Sequence, residues 1–357
     1  MIEDLIKPNI KALKAYTIDA PPCSIRLDAN ESPYGFPLGA LKIAINRYPD
    51  PEAAALRKVL AGKWGVEPEC VLHGNGSDEL IYYLLTAVGG PVLIPAPTFS
   101  MYRIIADSLG ENTIMVALDG QFDLDMEAML AAIGRHNPKL IFLSRPNNPT
   151  GNSFTCEKVL EVIENAGGLV IVDEAYQPFS PRGDSFIDLL PRYRNLLVMR
   201  TLSKIGLAAL RLGFIVGDKA IIGAINKVRL PYNVNSLSQA AALGILKDEK
   251  SIDACIVNIK DERDRLFMEL SKLKAIKPYS SDANFILFKL QNNASVTADA
   301  LYKKLIADDI LIKKLAGGGA SGAPGPLDNC FRVTVGTPKE NAAFIMSMKK
   351  ITGGSLK

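Results

Sequence analysis

The middle of the chain repeats one unit. A short run that is apolar at every position gives way to a longer amphipathic stretch, and the unit then starts again. The runs are PVLIP around 92–94, TIMVAL at 113–118, KLIFLS at 139–144, then LVIVDEAY, NLLVMR and RLGFIVG. A strand with one wet face alternates in polarity, whereas a strand buried on both faces does not. The stretches between the runs, among them FSMYRIIADSLG, DLDMEAMLAAIGRH and TCEKVLEVIENAG, read as helices. Gly134 reads as the stop of the second, Thr155 as the N-cap of the third, and Gly167 falls past its end. The pattern predicts an α/β fold, with a mostly parallel sheet covered by helices on both sides.

After about residue 235 the pattern changes. SIDACIVNIKDERDRLFMELSKL reads as a long connecting helix. ANFILFKL, TADALYKKLIAD, DILIKKLA, CFRVTVG and PKENAAFIMSMKKI then alternate strand and helix in smaller units. A chain of 357 residues exceeds what one core usually organises. The expected division is a large domain over 30–261 and a smaller α+β domain over 262–357. Residues 1–29 would pack on the small domain or on a partner subunit.

Several function classes fall away. A net charge of +3 is too small to argue for nucleic acid or an anionic membrane surface. No apolar run reaches the roughly 18 residues needed to span a bilayer, and the N-terminal stretch lacks the core of a signal peptide. Five scattered cysteines without a CxxC suggest reduced thiols in the cytoplasm, and two histidines leave little for a zinc site or a Ser-His-Asp triad. A formal G-x-G-x-x-G (Gly317, Gly319, Gly322) lies in AGGGASGAPGP, where Pro324 and Pro326 block the helix that a dinucleotide site needs. A nicotinamide-dependent oxidoreductase therefore has only this weak support. A non-enzymatic regulator is the other rival from a different class.

Four stretches carry chemistry. LVIVDEAY ends a buried strand on Asp173, with Tyr176 just beyond. LSRPNNPTG ends another in a rigid turn that offers Asn148, and its X-Pro bonds are candidates for the cis form. LLVMRTLSKIGLAALRLGF interrupts apolar segments with Thr201, Ser203, Lys204 and Arg211. HGNGSDELIYYLLTAV places Gly76 and Ser77 at a helix start, with Ser77 in the N-cap position, where free N–H groups hold phosphates. Ligands of open α/β sheets sit outside the carboxyl ends of the strands, so these stretches could share one crevice. A lysine, a phosphate-binding helix end, an arginine, an amide with a phenol and a buried acid together suit pyridoxal phosphate, with no metal required.

These residues resemble the aspartate-aminotransferase superfamily of fold type I, and within it the histidinol-phosphate aminotransferase family. The likeness runs from LDANESPYG through RYPDPEAAALR, GNGSDELI, PAPTFSMY, RPNNPTG, VDEAYQPF and TLSKIGLAALRLGF to CFRVTVGTPKEN. It implies that Lys204 forms the Schiff base with pyridoxal 5'-phosphate and shuttles the substrate proton, its amine made reactive by burial and neighbouring cations. It implies that Asp173 faces the ring nitrogen, that Asn148 and Tyr176 bind the ring O3′, and that Tyr102 stacks on the ring. Gly76, Ser77, Ser203, Arg211 and, more weakly, Thr201 would bind the phosphate. Tyr48 resembles the tyrosine that reaches this phosphate from the other subunit, which implies a homodimer with shared sites. Arg332 would receive the anionic end of the substrate, helped by Tyr16. Lys313 stands where many members carry a second arginine, and a lysine lacks the arginine's planar fork. The implied reaction converts histidinol phosphate and 2-oxoglutarate into imidazole-acetol phosphate and glutamate. Within the same fold, the alternatives are an aromatic or broader amino-acid aminotransferase and a threonine-phosphate decarboxylase.

Overall fold

The computed structural model describes residues 23–28, 30–34, 47–181, 184–292, 294–315 and 325–353. It contains two sheets. The larger has seven strands: β2 (Val71–Asn75), β3 (Val92–Ala96), β4 (Thr113–Ala117), β5 (Leu140–Ser144), β6 (Leu169–Asp173), β7 (Leu196–Thr201) and β8 (Leu212–Gly217). Their order across the sheet is β2-β8-β7-β6-β5-β3-β4. Strands β3 to β7 pair in parallel, while β8 runs against both of its neighbours, β7 and β2. Residues 140–144 of β5, 196–199 of β7 and 212–217 of β8 are all buried, which is why these strands are apolar throughout.

Helices α1 (Ala54–Trp64), α2 (Ser77–Val88), α3 (Met101–Leu109), α4 (Met126–His136), α5 (Cys156–Asn165), α6 (Lys219–Asn226) and α7 (Ser236–Ile245) accompany this sheet. Two apolar clusters form its core. Phe142, Ile171, Leu197 and Ile215 belong to one; Ile141, Val170, Val198 and Phe214 belong to the other. Alternate residues of the same strands thus feed opposite faces.

Helix α8 (Glu249–Ser271) leads to the second sheet, which contains β1 (Ile25–Leu27), β9 (Ile276–Pro278), β10 (Phe285–Leu290), β11 (Ile310–Lys314) and β12 (Cys330–Thr334) in the order β1-β11-β12-β10-β9. Strand β1 pairs in parallel with β11, so the early part of the chain closes this sheet's edge. Helices α9 (Ala298–Ala307) and α10 (Pro338–Thr352) pack here. The start of α10 is fixed by reciprocal bonds: Thr337 Oγ1 accepts from the Glu340 N–H, and the Glu340 carboxylate accepts from the Thr337 N–H at 2.7 Å.

Two local expectations need correction, and a third holds in position only. Gly134 does not stop α4, which runs on to His136 and closes at Asn137 with φ 41°. Thr155 holds the N-cap position of α5 without a capping bond, because its hydroxyl donates to Asp123 at 2.6 Å instead. Residues 71–75 form a strand paired with β8, and Gly76 rather than Ser77 occupies the N-cap of α2. The glycine-rich stretch at 316–324 lies outside the described residues.

Candidate active site

Strands β5, β6 and β7 run in parallel, so their carboxyl ends share one edge, where β2 also ends and β8 begins. A cavity opens there, lined by Ser77, Phe99, Ser144, Asn148, Asp173, Tyr176, Thr201, Ser203, Lys204 and Arg211 among others. Eight sequence-predicted residues therefore meet in one place.

The cavity has distinct ends. At one, α2 begins. Gly213 of β8 lies so close to this turn that a Cβ on it would stand 2.6 Å from Gly76 C and 2.7 Å from Ser77 N. Any side chain there would push β8 off the helix start. Gly76 itself has φ 90°, and a Cβ on it would collide with the Arg211 guanidinium. Arg211 enters β8 through a left-handed residue, φ 52°, and reaches Asp78 at 3.3 Å. Helix N–H groups, Ser77, Ser203 and a guanidinium make this end suited to an anion. Thr201 Oγ1 accepts from the Ser203 N–H at 3.1 Å and is itself bonded to the Leu212 carbonyl at 3.0 Å.

At the other end Asp173 is 3% exposed. Its carboxylate accepts from Tyr102 Oη at 2.5 Å and from the Ala175 N–H at 3.0 Å. Burial pushes this acid up to about 6, against the pull of those two bonds. Between the ends, Lys204 rises from the turn Ser203–Leu207, which Gly206 bends with φ 96°. Its Nζ lies 5.8 Å from the Tyr176 ring centroid, and it makes no ion pair among the described residues. Tyr176 Oη accepts from Asn30 Nδ2 at 3.0 Å and from Asn148 Nδ2 at 3.4 Å. The peptide bonds before Pro146 and Pro149 are cis, as the turn chemistry suggested.

A second cavity adjoins the first and shares Phe99, Asn148, Tyr176 and Lys204 with it. Arg332 and Lys313 line its far side. They face each other across β12 and β11 in the register, and like charges directly opposite oppose pairing unless an anion sits between them. Arg332 also donates to Asn148 Oδ1 at 2.5 Å and to the Asp28 carbonyl at 2.7 Å, so one residue joins the two cavities.

Two expected residues lie elsewhere. Tyr102 does not line the cavity. It is fully buried, its ring stacked on Phe142 with centroids 4.8 Å apart, and its hydroxyl stands behind Asp173. Phe99, three residues earlier, holds the cavity wall. Helix α3 starts between them, and its first turn rotates Tyr102 into the core. Tyr48 is 81% exposed and stacks on Tyr232 at 4.6 Å, away from this chain's own cavity. Tyr16 falls outside the described residues. Sequence reading missed Phe99, although it stands in the quoted PTFSMY. It also missed Asn30 of LDANESPYG, whose buried amide joins Tyr176 to Thr334.

The charged side chains next to the cavity residues belong to a separate network. Glu174 pairs with Arg200 at 2.7 Å and accepts from Ser185 Oγ at 2.9 Å and the Phe186 N–H at 2.6 Å. Arg145 donates to Asp184 at 2.9 Å and lies over the Phe186 ring at 5.2 Å. Residues from the ends of all three strands thus grip the segment 184–186. His73, deep in β2, is pushed down to about 3 by burial and by Arg229 and Arg57, so it is a neutral core residue. Among the described residues no cluster of histidine, cysteine or acid could hold a metal, and no helix is long and apolar enough to cross a membrane.

Comparison with known proteins agrees with this geometry. The chain is 40% identical to a histidinol-phosphate aminotransferase of Aquifex aeolicus, over 97% of this chain and 98% of that protein. It is 43% identical to histidinol-phosphate aminotransferase 2 of Nitrosococcus oceani, with 96% of each covered. Its fold matches the crystal structure of histidinol-phosphate aminotransferase from Sinorhizobium meliloti in complex with pyridoxal-5'-phosphate. There the TM-score is 0.85 and the identity 26%, over 98% of both chains. The family described as aminotransferase class I and II matches residues 27–347. With the fold type I architecture and a lysine-centred cavity at the strand ends, this chain belongs to the class I and II aminotransferases.

Proposed function

We propose that this chain is a pyridoxal-phosphate-dependent aminotransferase. It interconverts histidinol phosphate plus 2-oxoglutarate with imidazole-acetol phosphate plus glutamate, a step of histidine biosynthesis. The observation that carries the reading is the end-to-end likeness, at 40% identity, to the Aquifex aeolicus histidinol-phosphate aminotransferase.

The residues present fit the cofactor. The close Gly76–Gly213 approach, which a Cβ would prevent, seats the start of α2 against β8, and a helix start suits a phosphate. A buried acid without a cation partner waits at the opposite end, and an amine lies between. When bound, pyridoxal 5'-phosphate supplies an aldehyde that takes up amino groups and a ring that draws electrons from the adjacent carbon. Ser77, Ser203 and Arg211 hold the phosphate, with the N–H groups at Gly76 and Ser77; Thr201 acts through Ser203. Asp173 keeps a proton on the ring nitrogen, and Asn148 and Tyr176 hold the ring oxygen. Phe99 covers the ring. Lys204 Nζ would hold the cofactor at its aldehyde and would move the proton of the substrate Cα, both tasks falling to the one amine between the two ends of the cavity.

Arg332 and Lys313 bind the anionic end of each substrate in turn, the carboxylate of glutamate and the phosphate of histidinol phosphate. Tyr48 and Tyr232, exposed and stacked on each other, reach the phosphate of a second copy, so the working form is a homodimer. The large unit spans residues 30–261 and the small one 262–357, with the substrate between them.

A half-reaction assay tests the reading. The pyridoxal form is mixed separately with histidinol phosphate, phenylalanine, tyrosine and aspartate, and second-order rates are compared. Histidinol phosphate should react fastest. A faster amino acid would overturn the substrate, and release of carbon dioxide would overturn the reaction class.

A further inference from the structure

We infer that Tyr102 is a positioning residue: its hydroxyl, bonded to Asp173, aims and holds the carboxylate that faces the cofactor nitrogen. The inference rests on the proposed role of Asp173. Nothing in the resemblance gave Tyr102 this task, since the resemblance put its ring against the cofactor.

The geometry aims the hydroxyl at Asp173, with the Ser144 hydroxyl beside it. Tyr102 is 0% exposed and Asp173 3%. The Tyr102 ring is gripped on two sides, stacked on Phe142 at 13° and set edge-on against Phe99 at 87°. With both ring torsions fixed, Oη falls 2.5 Å from Asp173 Oδ2, in the range of short bonds to an ionised oxygen. The other carboxylate oxygen is taken by the Ala175 N–H. Two donors therefore set the plane of the carboxylate before any ligand arrives, which is the preorganisation a buried charge needs.

The charges nearby make the bond necessary. The nearby acids are Asp78, at the start of α2, and Glu174, next to it in the chain, and both oppose its ionisation. Glu174 is already committed to Arg200, and no ion pair to Asp173 occurs among the described residues. The phenol keeps its proton, since burial and the carboxylate push it well above its ordinary value. It therefore acts as a fixed donor and does not compete as a base. The entry to α3 thus supplies two services, Phe99 just before the helix on the cavity wall and Tyr102 in its first turn behind the acid.

The test uses Tyr102→Phe, with Phe142→Leu as a control that loosens the same ring but keeps the hydroxyl. Infrared spectra of the ligand-free chain at neutral pH read the carboxyl directly. Tyr102→Phe should gain a protonated-carboxyl band that vanishes in the Tyr102→Phe/Asp173→Asn double variant, and Phe142→Leu should not gain it. With ring-15N-labelled cofactor bound, Tyr102→Phe should shift the nitrogen resonance toward the unprotonated form. Because the effect passes through the cofactor, kcat/KM for glutamate and for histidinol phosphate should fall by one common factor, about tenfold to a hundredfold. A folded Tyr102→Phe without the new band and with an unmoved nitrogen resonance overturns the inference. If Asp173→Asn also leaves the nitrogen unmoved, the role of Asp173 itself is wrong. Should Tyr102→Phe fail to fold, 13C-tyrosine NMR of the wild type decides: a Tyr102 resonance that does not respond to Asp173→Asn overturns the bond.

Discussion

Asp173 and Glu174 are adjacent, both carboxylates, and both buried, yet they are held in opposite ways. Glu174 faces the segment 184–186 and has an arginine, a hydroxyl and a backbone N–H. Asp173 faces the cavity and has a phenol and one backbone N–H, but no cation. Burial raises both acids; only for Glu174 does a guanidinium pull back. The difference separates holding the sheet together from doing chemistry at its edge. A charge fully satisfied by its own protein has nothing left for a ligand, whereas one left short of a cation is poised to take one from outside.

The widest split should come from removing each charge in turn. Asp173→Asn should lower kcat/KM by about a thousandfold, comparable to losing a principal electrostatic contact in an active site. The variant should stay folded, because the Asn oxygen still accepts from the Ala175 N–H while its amide nitrogen donates to the Tyr102 hydroxyl. Glu174→Gln should do the reverse. It leaves the Arg200 charge without its carboxylate, a change that costs about 3 kcal/mol in buried pairs. Its apparent cofactor affinity should change little. Urea denaturation and steady-state kinetics on both variants check the pair. Similar activity losses from both, with similar stabilities, would remove the distinction.

A smaller effect follows from acidity. In the unfolded chain Asp173 has its ordinary value of 3.8, whereas in the ligand-free fold it sits at about 6. Between those two values the native chain keeps a proton that the unfolded chain releases. Stability is therefore lost as pH rises through that window, by about 3 kcal/mol in all, and the loss is complete above it. Denaturation of the ligand-free chain at pH 4, 5, 6 and 7 should show wild type falling relative to Asp173→Asn. Glu174 is raised in the same direction, but it is common to both proteins and cancels in the difference.

Much of this was legible before any coordinates. Parallel strands buried on both faces are apolar at every position, so Leu140–Ser144, Leu169–Asp173 and Leu196–Thr201 announced themselves. Their polar ends then marked Asn148, Asp173, Ser203 and Lys204. What stayed hidden was phase. Phe99 and Tyr102 are aromatic and lie within one turn; which of them faces the cavity depends on where α3 begins, and a boundary is the least determined feature of a pattern. Strand β2 was masked by its own His-Gly-Asn, because a glycine beside an asparagine reads as a turn until β8 is seen to pair with it. The network that ties Glu174 to Arg200 and Ser185 is made of distant residues, and no local spacing encodes it.

The least costly changes separate the same two sides through their aromatic rings. Phe186 is 1% exposed and lies beneath the Arg145 guanidinium, so it belongs to the holding side. Phe186→Leu gives up that cation–π contact and some packing, and should cost roughly 1–3 kcal/mol of stability. Cofactor affinity should hold. Phe99 packs at the margin of the core, edge-on to Tyr102 with centroids 5.4 Å apart, and borders both cavities. Phe99→Leu keeps an apolar wall but loses the ring face, worth about 0.5–1.5 kcal/mol in aromatic pairs. Cofactor affinity should weaken by a few-fold to about tenfold, with little change in the denaturation midpoint. Fluorescence titration of the ligand-free variants with pyridoxal 5'-phosphate measures this. Equal affinity in Phe99→Leu and wild type would mean that the ring merely fills space, and the cavity side would then owe its binding to the two charged ends alone.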